Sequence, residues 1–386
     1  MKAFASIPAQ IPRSGIREIM DLAWAVEKTG EVIHLEVGQP DFDTPSHIVE
    51  ATCRYANAGN TKYVPNAGVD PLREAAARYF ERNTGIATGA NNILVTPGAV
   101  MSVATSFLAL LEPGDEVLLP DPGWPNYHMA VSIVHGKSVF YNLRAENHFL
   151  PDLDEIERLV SAKTKLILLC TPSNPTGQVY DEALMRDLMQ FAQRHDLWVL
   201  SDEIYGDIVF DEKHHSALPH DEDGRTLIVS GMSKSYAMTG SRVGFPRANP
   251  DYIELAAKLQ EPFVSCGTGF SQLASAEALD GPQEPVAAMR EAYHRRRDIA
   301  VEVLRAYDLY RYTPGGAIYL MIDISASGMD SHDFAMKLLN EKRVAVAPGK
   351  TFGKMCEDHI RISIAASDEH IRRGVTAICE LVREGQ

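Results

Sequence analysis

The sequence predicts an α/β protein, with a large domain built on a mostly parallel sheet flanked by helices and a smaller α+β domain joined to it. Three observations lead there. At 386 residues the chain is longer than one simple core usually fills, so two domains is the natural prior. From about residue 70, short apolar runs alternate with longer helical stretches, the rhythm of parallel strands joined by crossover helices. Beyond about residue 285 that rhythm gives way to a long polar helix and short mixed elements. The boundaries that follow are 1–45 for an N-terminal arm and part of the small domain, 46–285 for the large domain, and 286–386 for the small C-terminal domain.

Hydrophobic residues make up 45% and charged residues 23% of the chain, a balance that supports a sizeable buried core. A formal net charge of −15 argues against nucleic acid as a partner, so any anionic ligand must be held by a local set of donors. The five cysteines, Cys53, Cys170, Cys266, Cys356 and Cys379, are odd in number, far apart and without a CxxC pair. They read as small apolar residues of a reduced compartment rather than as disulfides or zinc ligands, and a cytoplasmic protein without a metal is the expectation. The N-terminal MKAFASIPAQIPRSG lacks the apolar run of a signal peptide, and no stretch approaches the roughly 20 apolar residues of a membrane span.

In chain order, a short arm leads to a helix from Gly15 to Lys28 with apolar residues at Ile19, Leu22, Ala23 and Val26. A strand-like Val32–Leu35 runs into Val37–Phe42, where Gly38 and Pro40 impose a turn. A helix from Ser46, its expected cap, to about Ala58 comes next. Tyr63 lies in the following loop with no apolar pattern to bury it. Candidate strands of the large sheet are Asn92–Val95, Glu116–Leu119, Lys165–Cys170, Trp198–Leu200, Leu227–Ser230 and Val243–Phe245, with helices such as Val100–Leu111 and Glu182–His195 between them. In the C-terminal part, a helix from Pro285 to about Ala306 carries Arg295, Arg296 and Arg297, which read as a solvated face. A helix near His332–Lys342, a strand at Val344–Val346 and a half-buried strand at His359–Ile364 follow. In the last of these, Arg361 and Ser363 share one face and the isoleucines the other.

Ligands of open α/β sheets bind beyond the carboxyl ends of the strands, so the residues at those ends carry the functional reading. Thr96-Pro-Gly-Ala-Val100 opens a helix and offers free main-chain amides to an anion. Trp124 is presented by a proline-fixed loop, Asn174 by Thr171–Gly177, an acid and a phenol by Asp202 and Tyr205, and an amine by Lys234. Taken singly, Trp124 reads equally well as core, Asn174 as a turn residue, Asp202 as a helix cap and Lys234 as a solvated loop residue. Their occurrence together, in order along one sheet edge, is what points to a site where a lysine amine could condense with a carbonyl cofactor.

PSNPTG at Pro172–Gly177, DEIY at Asp202–Tyr205, SKSYAMTGSRVG at Ser233–Gly244, VGQPDF at Val37–Phe42 and RISIA at Arg361–Ala365 resemble the class I/II aminotransferases. These are pyridoxal 5'-phosphate enzymes of the aspartate aminotransferase fold (fold type I), and the similarity runs from about residue 15 to the C-terminus. The resemblance implies an aminotransferase that moves an amino group between an L-α-amino acid and a 2-oxo acid, with residues 46–285 binding the cofactor. Lys234 would hold the cofactor aldehyde as an internal aldimine and, once freed, shuttle the proton. Asp202 would face the pyridine nitrogen. A carboxylate about 4 Å from a ring cation is worth roughly 4 kcal/mol at an effective dielectric near 20, or about three pKa units. Asn174 and the catalytic Tyr205 would hydrogen-bond the phenolic oxygen, and Trp124 would stack on the ring. The Ala99 and Val100 amides, Ser233 and Arg242 would bind the phosphate. Tyr63 would reach the phosphate of a neighbouring subunit, which implies a homodimer with shared active sites. Arg361 would clamp the substrate α-carboxylate, with Gly38 and Asn174 lining the same region, and closure of the small domain would exclude water.

Two positions depart from the family pattern. Many relatives have a serine three residues before the lysine, where this chain has Gly231 between Ser230 and Ser233. Some aspartate-using relatives carry a lysine at Val100, and its absence argues against a dicarboxylate held through that contact. A β-lyase or synthase would share the aldimine, the ring acid and the carboxylate clamp. A non-catalytic ligand-binding homologue of the transcription-regulator kind would come with a basic DNA-binding segment, and a dinucleotide oxidoreductase with a glycine-rich fingerprint after the first strand; neither is seen in the sequence.

Overall fold

The computed structural model describes residues 4–11 and 14–385. Residues 1–3, 12 and 13 of the expected arm and residue 386 lie outside them. The strands among the described residues are β1 (Ile33–His34), β2 (Glu116–Asp121), β3 (Lys137–Asn142), β4 (Thr164–Cys170), β5 (Trp198–Asp202), β6 (Thr226–Val229), β7 (Tyr319–Asp323), β8 (Val344–Ala345), β9 (Ala347–Pro348) and β10 (His359–Ser363). Five of them form one sheet in the order β3-β2-β4-β5-β6, every neighbouring pair parallel. An antiparallel sheet runs β7-β10-β9, and β1 pairs in parallel with β8.

Side-chain alternation explains why helices cover both faces of the large sheet. Leu166 and Leu168 of β4 enter one apolar cluster with Leu200, Leu227 and Phe107, whereas Ile167 and Leu169 enter another with Val199, Ile228 and Phe191. The second cluster continues without a break into Ile322, Ile360, Ile362 and Ile378. One core therefore joins the large sheet to the smaller ones. Among the described residues no helix is long and apolar enough to cross a membrane.

Several local expectations need correction. Asn92–Val95 and Val243–Phe245 are not regular strands: they make isolated antiparallel bridges, Ile93 with Arg247, Thr96 with Gly244 and Ile228 with Arg247, which extend the sheet irregularly past β6. Strand β3 is an additional edge strand. Its Phe140 is exposed at 42% while Tyr141 is buried and donates to the Leu168 carbonyl at 2.8 Å. Ser46 does not cap its helix; Pro45 holds the cap position without a side-chain bond. The β10 strand is buried along its whole length rather than on one face.

The arginine run is the largest departure. Arg295 is exposed, but Arg296 and Arg297 are buried, at 6% and 3% exposure. Arg296 forms a bidentate pair with Asp41 at 2.9 Å and also reaches Asp368. Arg297 binds Asp211 and the Pro314 carbonyl, both at 2.7 Å. Buried guanidinium groups persist because carboxylates and carbonyls meet their donors. The residues read as a solvated face instead tie the helix Glu284–Ala306 to the turn at Asp41 and to the loop before β7.

Candidate active site

Beyond the carboxyl ends of β2, β4, β5 and β6 lies a cavity of about 710 Å³. Eleven of the twelve site residues expected from sequence line it: Gly38, Ala99, Val100, Trp124, Asn174, Asp202, Tyr205, Ser233, Lys234, Arg242 and Arg361. Tyr63, the twelfth, is 89% exposed and stands away from this cavity within the single chain.

Asp202 closes β5 and is buried. Burial pushes its carboxyl up to about 6, against the lowering effect of hydrogen bonds from Tyr127 and from the Ile204 amide. The Tyr127 hydroxyl donates to Oδ2 at 2.6 Å and the amide to Oδ1 at 3.2 Å. Tyr127 also meets Trp124 edge to face, ring centroids 5.4 Å apart. Nothing in the sequence singles out Tyr127; the available signal is its place in the helix turn that begins at Trp124 and Pro125.

Lys234 lies in the loop after β6 and donates from Nζ to the Gly38 carbonyl, with Nζ 5.7 Å from the centroid of the Tyr205 ring. The Tyr205 and Tyr319 hydroxyls are 2.7 Å apart. Burial and this neighbouring phenol raise the Tyr205 hydroxyl well above the usual tyrosine range, so it stays a protonated donor at neutral pH. Gly38 has a steric reason to be glycine: a Cβ there would sit 1.9 Å from the Tyr319 hydroxyl. Tyr319, the first residue of β7, is a further site residue that the apolar run AIYL conceals.

Arg361, packed against Tyr319, is 2% exposed. Its Nη1 donates to Asn174 Oδ1 at 3.0 Å and its Nη2 to the Glu36 carbonyl, while Nε is buried without a partner. The guanidinium is held between the rings of Tyr319 and Phe352, 4.3 and 4.7 Å from their centroids. Burial lowers its pKa from the usual arginine value. A planar cation fixed in this way, with an unused N–H, suits a carboxylate.

The remaining donors gather at the first turn of the helix Ala99–Leu110. Gly98 has φ +81°, and a Cβ there would meet Arg242 Nη2 at 2.3 Å, so glycine lets the guanidinium lie against the helix start. Main-chain amides, the Ser233 hydroxyl and a guanidinium form the kind of donor set that binds a phosphate dianion. Ser233 faces this cavity, whereas Ser230 lines a separate one of about 460 Å³. Gly231 also has a local cause: a Cβ would come within 2.8 Å of the Val243 carbonyl across the Gly231–Gly244 bridge. The helix Gly15–Glu27 adds Arg17, Met20 and Trp24 to the cavity mouth, so a cation is present there although Val100 supplies none.

The family model for aminotransferase class I and II matches residues 30–378. A putative aminotransferase of Bacillus subtilis, YugH, is 38% identical over 369 residues, covering 95% of each chain. An aspartate aminotransferase of Pyrococcus horikoshii is 37% identical over 379 residues, 97% of this chain and 96% of its own. The solved structure of the Thermus thermophilus aspartate aminotransferase with maleate superposes with a TM-score of 0.94 at 34% identity, covering 99% of this chain and all of its own.

Proposed function

The chain belongs to the class I and II aminotransferases, and on that premise we propose that its cavity binds pyridoxal 5'-phosphate and moves an amino group between an L-α-amino acid and a 2-oxo acid. Members of the family use this cofactor, and the residues present suit it. The amides of Ala99 and Val100, Ser233 and Arg242 match its phosphate, Asp202 its ring nitrogen, Asn174 and Tyr205 its phenolic oxygen, Trp124 its ring face and Lys234 its aldehyde. When bound, the cofactor supplies an aldehyde that accepts the amino group and a ring that stores the electron pair released at the substrate carbon.

The observation that carries the reading is the convergence of one amine, one buried acid and one buried guanidinium on a single cavity. Arg361, with Asn174 beside it, receives the substrate α-carboxylate and fixes the Cα–H bond relative to Lys234. The amine of Lys234 removes the proton from that carbon and returns one, a general-base and general-acid role. Asp202, kept in place by Tyr127, would face the ring nitrogen of a bound cofactor and favour its protonated form. Tyr205, with Tyr319 beside it, would donate to the phenolic oxygen. Tyr63 is proposed to serve the phosphate site of a second copy, which makes the functional unit a homodimer; its exposure in the single chain supports this.

Replacing Arg361 by leucine tests the clamp. Truncating one partner of a buried charged contact costs about 2–5 kcal/mol, so KM for amino acids should rise roughly 10²-fold or more while cofactor affinity, read by absorbance titration, changes little. Loss of cofactor binding with an unaltered KM would overturn this role. A panel of amino donors against two oxo-acid acceptors then gives the side-chain preference.

A further inference from the structure

Behind Arg361 the chain buries a second acid that the reaction does not use. Glu36 is fully buried; its Oε1 lies 2.8 Å from His34 Nδ1, and its Oε2 has no partner among the described residues. Its main-chain carbonyl is the acceptor that holds Arg361 Nη2. A buried carboxylate is tolerated only when a positive charge or a proton accompanies it, and His34 is the group in contact that can supply either. We infer that the His34–Glu36 pair is a positioning element for the Arg361 clamp. While the pair keeps its shared proton, the guanidinium charge is free for an incoming α-carboxylate; once that proton is lost, a negative charge behind Arg361 weakens carboxylate binding.

The surroundings support this electrostatic isolation. His34 Nε2 faces Glu27 of the helix Gly15–Glu27 at 3.5 Å. Its hydrogen bond to Glu36, opposed by partial burial and assisted by the charges of Glu36 and Glu27, raises its pKa above the ordinary histidine value. The other charged groups on neighbouring elements are engaged elsewhere: His370 and Arg373 with Glu31, and Arg343 with the carbonyls of Val26, Gly30 and Glu31. Arg361 makes no ion pair with a carboxylate among the described residues. Burial lowers its pKa, and Tyr319, Tyr205 and Glu36 act against that effect, in that order. Among the described residues, Glu36 is the carboxylate whose charge acts on the clamp.

Because its bond to Glu36 raises the histidine, the shared proton leaves above the ordinary histidine range. Carboxylate binding is strong below that titration and weak above it. By linkage, a carboxylate on Arg361 must also hold the proton more firmly. The inference rests on the clamp role proposed for Arg361, and the test separates the two.

The probe is acetate, the smallest carboxylate, which needs no assumption about side-chain preference. Its competitive inhibition constant is measured on the holoenzyme from about pH 6 to about pH 10, and the His34 ring signal is followed by NMR with and without acetate. The constant for the unaltered protein should rise roughly tenfold across the His34 titration, as expected for a charge added about 12 Å away at an effective dielectric near 20. Saturating acetate should move that titration up by about one pH unit, the same tenfold coupling. In Glu36→Gln the step should move down towards the ordinary histidine range, leaving the constant flat across the pH span where the unaltered protein shows its step. Other groups titrating in this range affect all variants alike. A Glu36→Gln protein whose step stays at the pH of the unaltered protein, or a His34 titration indifferent to acetate, overturns the inference while leaving the clamp standing if Arg361→Leu no longer binds acetate. Unaltered inhibition of Arg361→Leu by acetate removes both.

Discussion

Replacing Lys234 by alanine is expected to lower amino-group exchange by at least about 10⁴-fold, the upper range for a positioned general base, and to leave the protein folded. The amine is the group in the cavity placed to take a proton from the substrate carbon and give it back. Its only hydrogen bond within the described residues goes to the Gly38 carbonyl at the cavity wall, so its loss opens space for water without disturbing an apolar cluster. Circular dichroism and the thermal midpoint should therefore stay close to those of the unaltered protein while turnover disappears. Exchange at near-normal rate in this variant would show that another group moves the proton.

Asp202→Asn should have opposite effects on activity and on stability. A carboxylate about 4 Å from a ring cation is worth roughly 4 kcal/mol at an effective dielectric near 20, so turnover should fall by about 10³-fold. In the cofactor-free protein, however, the acid is costly to bury. Its pKa rises from 3.8 unfolded to about 6 folded. A group raised on folding supports the fold while it is protonated and loses that support as pH climbs through the folded value. Above about pH 6 the ionised Asp202 therefore costs the cofactor-free protein about 3 kcal/mol. The asparagine variant, free of cofactor, should be the more stable protein at pH 8 by up to this amount. The gap should shrink through about pH 6 and close near pH 4, where both side chains are neutral. Chemical denaturation at several pH values measures it. A variant no more stable than the parent at pH 8 would mean that the carboxylate is better solvated than its burial indicates.

The site was legible in the sequence wherever a polar residue interrupts an apolar strand end. Asn174, Asp202 and Lys234 each follow a run of buried aliphatic residues, and a parallel sheet brings such ends to one edge. The partners of those residues were not legible, because they come from elements with ordinary patterns. Tyr127 and Tyr319 look like core aromatics until the fold turns their hydroxyls toward Asp202 and Tyr205. Arg296 and Arg297 sit in a charge run that would be solvated on an isolated helix, and only the distant Asp41 and Asp211 make burial tolerable. Strand β3 has a mixed pattern, since an edge strand with one wet face does not carry the continuous apolar signal of its neighbours. Glu36 was hidden for a related reason: it follows β1, which pairs with the distant β8, and its carbonyl meets Arg361, 325 residues away in sequence.

The half-reaction tests the central claim most directly. Cofactor-loaded protein is mixed with a reactive amino acid, without any oxo acid, and its absorbance is followed in a stopped-flow instrument. The expected trace shows complete conversion of the bound pyridoxal form to the pyridoxamine form, with one 2-oxo acid released per site and no ammonia. Ammonia and oxo acid accumulating together while the pyridoxal absorbance persists would contradict an amino-group transfer carried by Lys234, Asp202 and Arg361.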